Sequence, residues 1–233
     1  MNPTKETDPS GRHVFEKQFD LSRRDYLAGL DMVTWLRHYH VVRDLVASAP
    51  QRVLEVGTGD GVVRRCVLPL VPAYSVFDIN ARLEPDYVGD LKVGDASLVG
   101  SFDAVVATEV MEHLPFDDLP ACLANLYSWL QAGGQAFVSL PHRKSSVAML
   151  SPSQKLRTWR FPNGLLSLSE AYNRFIRGRI WIDPNHCWEI GDGHVTQMAV
   201  ERQFARTGFK LVKRLELPYC DYWVLSKPGA SGV

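Results

Sequence analysis

The chain has 233 residues, 45% of them hydrophobic and 22% charged, enough for one domain with a substantial core. Lys plus Arg and Asp plus Glu balance at 26 each, so overall charge selects no partner. The four cysteines (Cys66, Cys122, Cys187 and Cys220) are widely spaced with no CxxC pair, which argues against a zinc or disulfide framework and for a reducing, cytoplasmic setting. No apolar run reaches the roughly 18 residues of a membrane span, and Met1 to Gly11 holds no apolar signal core.

Residues 1–11 and 227–233 are rich in Pro, Gly and small polar residues and are expected to be disordered tails around one domain, residues 12–226. Leu30, Val33, Leu36, Val41, Val42, Leu45 and Val46 recur at helical spacing. Leu27 to Ala47 therefore reads as one helix, or two with a break, leading to Pro50, within an N-terminal helical lid over residues 12–50. Arg52 to Val56 is a short apolar strand, and the glycine turn after it opens a helix through Val62, Val63, Cys66 and Val67. Tyr74 to Ile79, Tyr87 to Val93 and Phe102 to Thr108 are the next three strands, the last an unbroken apolar run typical of a fully covered strand. A helix from Leu119 to Leu130 stops at Ala132-Gly133-Gly134, and the fifth strand, Gln135 to Leu140, ends at Pro141. There the alternation breaks off, and residues 142–193 read as a cap inserted after the fifth strand, a length of connection that usually carries function. A helix from His194 to Thr207 and strands Phe209 to Leu215 and Tyr219 to Leu225 complete the pattern. Strands alternating with helices predict an α/β fold with a doubly wound, mostly parallel, seven-stranded sheet.

Such a sheet binds ligands at the carboxyl ends of its strands, so the first strand-turn-helix is where a site is expected. Gly57, Gly59 and Gly61 allow a tight turn and close backbone approach to a ligand at a helix N-terminus. Val62 stands where a dinucleotide fingerprint needs its third glycine, which tells against an NAD(P)-dependent oxidoreductase. The GxGxG spacing with Glu55 two residues ahead resembles the first motif of the class I S-adenosylmethionine-dependent methyltransferases. Asp78 at the end of the second strand stands where that family places the carboxylate that accepts from the ribose hydroxyls. Gly94-Asp95-Ala96 is similar to its adenine-contacting loop, Phe102 to Leu114 to its fourth-strand motif, and Leu130-Gln131-Ala132-Gly133-Gly134 to its turn into the fifth strand. The resemblance implies the class I fold and an S-adenosylmethionine cofactor held by Glu55, Gly57, Thr58, Gly59, Gly61, Asp78, Ile79, Asp95, Ala96 and Glu109.

The acceptor is less defined, because a sulfonium donor asks the protein mainly to align the acceptor and exclude water. Thr108-Glu109-Val110-Met111-Glu112 lacks the (Asp/Asn)-Pro-Pro-aromatic motif typical of amino-group methyltransferases, so an oxygen acceptor is expected over nitrogen. The catalytic candidates are His186 as general base, Glu189 as its orienting carboxylate, and His113. If a helical turn begins after the fourth strand, Glu109, Glu112 and His113 fall at i, i+3 and i+4 on one face, a set able to hold magnesium or manganese. That pattern resembles the metal-dependent O-methyltransferases of small-RNA 3′ ends and of ubiquinone biosynthesis. The same residues also occur without metal in the class, and the metal-free reading comes first.

Between Pro141 and Ile182 lie Arg143, Lys144, Lys155, Arg157, Arg160, Arg174, Arg177 and Arg179, against the single acid Glu170. Aromatic and aliphatic residues such as Trp159, Phe161, Leu165, Leu166, Tyr172 and Trp181 interleave with them. The segment reads as a solvated cap paired with acids elsewhere, as a surface for RNA or a phosphorylated molecule, or as an amphipathic stretch from Leu165 to Ile176 on an anionic membrane. The expected function is methyl transfer to a small organic acceptor, anionic and lipidic ones included. A metal-dependent RNA 2′-O-methyltransferase, an oxidoreductase and a non-catalytic cofactor-binding protein are the alternatives.

Overall fold

The computed structural model describes residues 22–153, 156–162, 168–177, 183 and 185–229. The tail over Met1 to Gly11, residues 230–233, Lys155, Leu165, Leu166, Arg179 and Trp181 lie outside them. Two helices come first, α1 (Arg23–Ala28) and α2 (Met32–Ala47). Ser22 and Asp25 close a capping box on α1, and the Asp31 carboxylate accepts from the Thr34 amide at 2.7 Å to start α2. The break at Gly29-Leu30 divides the predicted helical stretch in two.

The central sheet is built from β1 (Arg52–Val56), β2 (Ala73–Asp78), β3 (Tyr87–Val88), β4 (Phe102–Thr108), β5 (Leu130–Pro141), β8 (Lys210–Glu216) and β9 (Cys220–Ser226). Their order is β3-β2-β1-β4-β5-β9-β8, with the first five parallel and β9 antiparallel to both its neighbours. This is the predicted mostly parallel seven-stranded sheet. Strand order reverses between β1 and β4, which places the ligand crevice at their carboxyl ends. β3 is only two residues long, because the stretch after Val88 turns through Asp90 and Gly94 instead of pairing.

Helices α3 (Val62–Val67), α4 (Leu119–Trp129) and α6 (Gln197–Thr207) connect the strands. Side chains alternate across the strands, so both faces of the sheet are covered. Leu54, Val56 and Val105 pack with Trp129, Trp188 and Phe204 on one side. Val53 and Val106 pack with Val41, Leu45 and Val63 on the other, which places α2 and α3 there. Trp129 is fully buried, donates its indole N–H to the Asp95 carbonyl at 3.0 Å and meets the Phe77 ring at 4.9 Å between centroids.

The segment after β5 contains strands that its irregular pattern did not announce. β6 (Lys144–Leu150) and β7 (Leu156–Pro162) form an antiparallel hairpin, followed by α5 (Leu168–Phe175). The hairpin is latched to the turn before β9, where Arg160 pairs with Asp221 and donates to the Leu217 and Cys220 carbonyls. Ser146 bonds the Pro218 carbonyl beside it. Lys227, placed in the C-terminal tail by composition, is held to the sheet instead: its amide bonds Gly134 and its ammonium bonds the Tyr127 and Leu130 carbonyls. Among the described residues no helix is long and apolar enough to cross a membrane.

Candidate active site

The glycine turn leaves β1 at Gly57, whose amide donates to the Phe77 carbonyl on β2 at 2.9 Å. Gly57 has φ +71°, and a Cβ there would lie 2.5 Å from Val110 Cγ2. Only glycine satisfies both the left-handed backbone and the close approach of the segment after β4. The Asp78 carboxylate, at the end of β2, accepts from the Thr58 amide at 2.9 Å and the Asn80 amide at 2.8 Å. It is thus aimed at the turn, with lone pairs left over for a ligand. Burial raises its pKa, opposed by those two amide bonds. Glu55 is deeper, buried beneath the turn, and burial pushes its pKa up to about 8 despite the hydrogen bond from Thr58 Oγ1 at 3.3 Å. Asp95 caps a short 3-10 turn that begins at Ala96, its carboxylate taking the Ser97 amide, while Ile79 stands exposed beside Asp78.

The N-terminal helices close over this turn. Arg23 bonds the Leu83 carbonyl and reaches Gly61, and the Tyr26 ring lies 3.7 Å from where a Cβ of Gly59 would stand. From α2, His38 bonds the Asp60 carboxylate at 3.0 Å. Burial alone would raise the pKa of Asp60, but His38 and the Val62 amide bring it below the ordinary value.

Glu109 follows β4 with φ 55°, a strained conformation for a side chain of its size. Two hydrogen bonds fix its carboxylate, from Ser139 Oγ at 2.7 Å and Tyr219 Oη at 2.6 Å. Arg37 of α2 donates to that tyrosine oxygen at 2.5 Å and stands 3.8 Å from the carboxylate. Burial works against the Arg37 charge, yet Tyr219 and Glu109 outweigh it and hold the guanidinium protonated. Sequence reasoning missed Arg37 and Tyr219. The one signal was an arginine in line with Val41 and Leu45, inside the buried stripe of α2.

Beyond Glu109 the chain makes a 3-10 turn, Met111–His113, not the α-helical turn required for Glu109, Glu112 and His113 to share a face. The residues that converge are Glu112, His113 and His186, with one ligand atom from each lying within 4.8 Å of the others. Glu109 is turned instead toward Tyr219, and His186 takes its place in the group. Glu112 is fully buried and neither of its carboxylate oxygens has a hydrogen-bond partner among the described residues. Burial, reinforced by Glu109, raises its pKa well above the ordinary range.

Both imidazoles are oriented by their Nδ1 atoms. His113 Nδ1 lies 3.0 Å from the Asn185 carbonyl and His186 Nδ1 lies 3.0 Å from Glu189 Oε1. Each partner is an acceptor, so Nδ1 donates to it and Nε2 is the atom of each ring left facing Glu112. His186 Nε2 is 4.0 Å from Glu112 Oε1. Burial lowers the pKa of His113, keeping that ring neutral. The loop that delivers His186 is pinned by Cys187 N to the Glu112 carbonyl at 2.7 Å and Trp188 Nε1 to the Leu114 carbonyl at 2.9 Å. Arg143, after β5, stands 4.0 Å from Glu189 and pairs with Asp192 at 3.0 Å.

A methyltransferase-domain family model matches residues 35–214. The chain belongs to the class I S-adenosylmethionine-dependent methyltransferases. Solved structures of the same fold include the N-methyltransferase NodS from Bradyrhizobium japonicum WM9 in complex with S-adenosyl-L-homocysteine. It is 13% identical with a TM-score of 0.60, over 92% of this chain and 96% of that one. A second is the 1,6-didemethyltoxoflavin-N1-methyltransferase of Burkholderia thailandensis, with bound 1,6-didemethyltoxoflavin and S-adenosylhomocysteine. It is 14% identical with a TM-score of 0.55, over 88% and 82% of the two chains. A third is the methyltransferase domain of bacterial-CtHen1-CN, 17% identical with a TM-score of 0.55, over 83% and 99%. No curated protein matches the chain in sequence. This methyltransferase is an enzyme whose cofactor is S-adenosylmethionine, and oxidoreductase and non-catalytic readings fall away.

Proposed function

We propose that this methyltransferase methylates an oxygen of a small organic acceptor, with His186 as the general base. The observation that carries the reading is the buried line Glu112, His186, Glu189 beside the crevice. Glu189 fixes the tautomer and leaves His186 Nε2 to take a hydroxyl proton, help that an oxygen acceptor needs more than a neutral amine does. S-adenosylmethionine supplies the activated methyl group when bound. Glu55, Gly57, Thr58, Gly59, Gly61, Asp78, Ile79, Asp95 and Ala96 would hold it, and Asp78 fits that role because its oxygens are aimed at the turn by backbone amides alone. Tyr219 and Ser139 fix the Glu109 carboxylate by hydrogen bonds, with Arg37 beside it, at the reacting end. Helices α1 and α2 act as the lid, and residues 142–193 as the cap that shapes the acceptor side.

A small-molecule acceptor is supported by the toxoflavin enzyme, which binds one on the same fold. None of the four cysteines forms a disulfide, in keeping with a cytoplasmic enzyme. The test is a labelled-methyl assay against fractionated cell extract, with products read by mass spectrometry. An O-methylated product whose formation is lost in His186→Ala supports the reading; an N- or C-methylated product overturns the oxygen assignment.

A divalent cation is the second reading, favoured by the unsatisfied oxygens of Glu112 next to His113 and His186. Two imidazoles and one carboxylate would suit manganese better than magnesium, and Glu112, His113 and His186 would hold the ion, which would lower the pKa of a bound acceptor oxygen, RNA 2′-hydroxyls among the candidates. Exhaustive chelation that removes activity, restored by manganese and not in Glu112→Gln, would establish it; unchanged activity excludes it.

A further inference from the structure

The hairpin β6–β7 turns one face to the protein and the other away from it. Ser146 and Arg160 point inward to the turn before β9. By strand alternation the opposite face carries Val147, Met149, Trp159 and Phe161, and all four are exposed. Val147 is paired with Trp159 across the strands, so these side chains form one continuous patch. At the hairpin's far end the paired Leu150 and Leu156 fall by alternation on the face of Ser146 and Arg160, yet beyond the body of the protein they are 65% and 45% exposed. Helix α5 and the residue after it repeat the arrangement, with Leu168, Tyr172, Phe175 and Ile176 sharing one face and all exposed.

Charge identifies the partner. Exposed Arg157 stands on the hairpin's apolar face opposite Met149, exposed Lys144 at the base of β6 and exposed Arg177 just after α5, and residues 143–182 hold eight basic residues against Glu170 in a chain of zero net charge. A two-fold contact between copies would bring these cations together, so a second copy is a poor occupant. Single-stranded nucleic acid would stack on rings, whereas the hairpin end presents Met149, Leu150 and Leu156, aliphatic chains that offer no stacking. An apolar wedge with an aromatic collar and a cationic rim matches the boundary between acyl chains and anionic headgroups.

We infer that the β6–β7 hairpin and α5 dock this enzyme on an anionic lipid bilayer. The hairpin is anchored on the turn that also carries Tyr219, so docking sets the acceptor end of the crevice beside the lipid surface. The inference does not depend on the acceptor or on the base assigned above, because it is read by binding alone.

The experiment is co-sedimentation of the full chain with phosphatidylcholine vesicles, with and without about one-third phosphatidylglycerol. The expected result is partitioning onto the anionic vesicles only, weakened by salt. Replacing both Leu150→Asp and Leu156→Asp should cut partitioning by about tenfold or more, and Arg157→Glu by on the order of tenfold. Melting temperature and S-adenosylhomocysteine affinity should stay at the wild-type level in both, which separates docking from folding. No partitioning, equal partitioning onto neutral vesicles, salt-sensitive binding of single-stranded RNA without vesicle binding, or a dimer that the Asp pair dissolves would each overturn it.

Discussion

Asp78 and Glu112 are both buried carboxylates at the carboxyl edge of the sheet, yet the chain treats them in opposite ways. Asp78 receives two backbone amides, from Thr58 and Asn80, and its geometry is complete before any ligand arrives. Glu112 receives none among the described residues, and its neighbours His186 and Glu189 come from a loop more than seventy residues further on. A buried carboxylate without partners costs stability, so its retention marks a place where a proton, an acceptor or an ion must supply what the fold withholds. On the proposed reading the difference separates a cofactor half prepared by local backbone from an acceptor half assembled over long range.

The contrast is most exposed to attack at Glu112 and His186. Glu112→Gln or His186→Ala should lower methyl transfer roughly 10²- to 10⁴-fold in single-turnover measurements, with cofactor affinity unchanged. Retained turnover in both would remove the acceptor half as drawn. Next in size, Arg37→Met leaves Glu109 without its buried cation and should cost about 3–5 kcal/mol in urea unfolding. Gly57→Ala sharpens the other half: the left-handed backbone and the contact with Val110 should cost about 1–3 kcal/mol and weaken cofactor binding, read by calorimetry. The pH dependence turns on Glu55. Its native pKa of about 8 lies above the ordinary 4.5, so the folded state holds a proton that the unfolded chain has lost across that window. Stability should therefore fall as pH rises from about 4.5 to 8 and level off beyond, and Glu55→Gln should flatten that slope in denaturation curves taken at each pH.

The same division governs what could be read without coordinates. The glycine turn, Asp78 and the strand-helix alternation were legible because each is fixed by residues within a few positions of one another or by a simple period. The hairpin β6–β7 was not. Its strands do alternate, Val147 and Met149 with Ser146 and Ala148, Trp159 and Phe161 with Thr158 and Arg160, but the runs are short and lie among basic residues, so the segment reads by its charge and not by its period. Arg37 read as one more polar residue on an amphipathic helix, and only Tyr219, 182 positions away, gives it a role. His186 and Glu189 were found by residue type, but that His186 joins Glu112 and His113 where Glu109 was expected depended on a 3-10 turn that spacing alone does not announce.

The most direct test of the two-half account is to measure S-adenosylhomocysteine affinity and methyl transfer side by side in Asp78→Ala and His186→Ala. The account predicts that Asp78→Ala loses cofactor affinity by about tenfold or more, while His186→Ala keeps wild-type affinity and loses transfer. Equal loss of affinity in both variants, or wild-type affinity in Asp78→Ala, would contradict it.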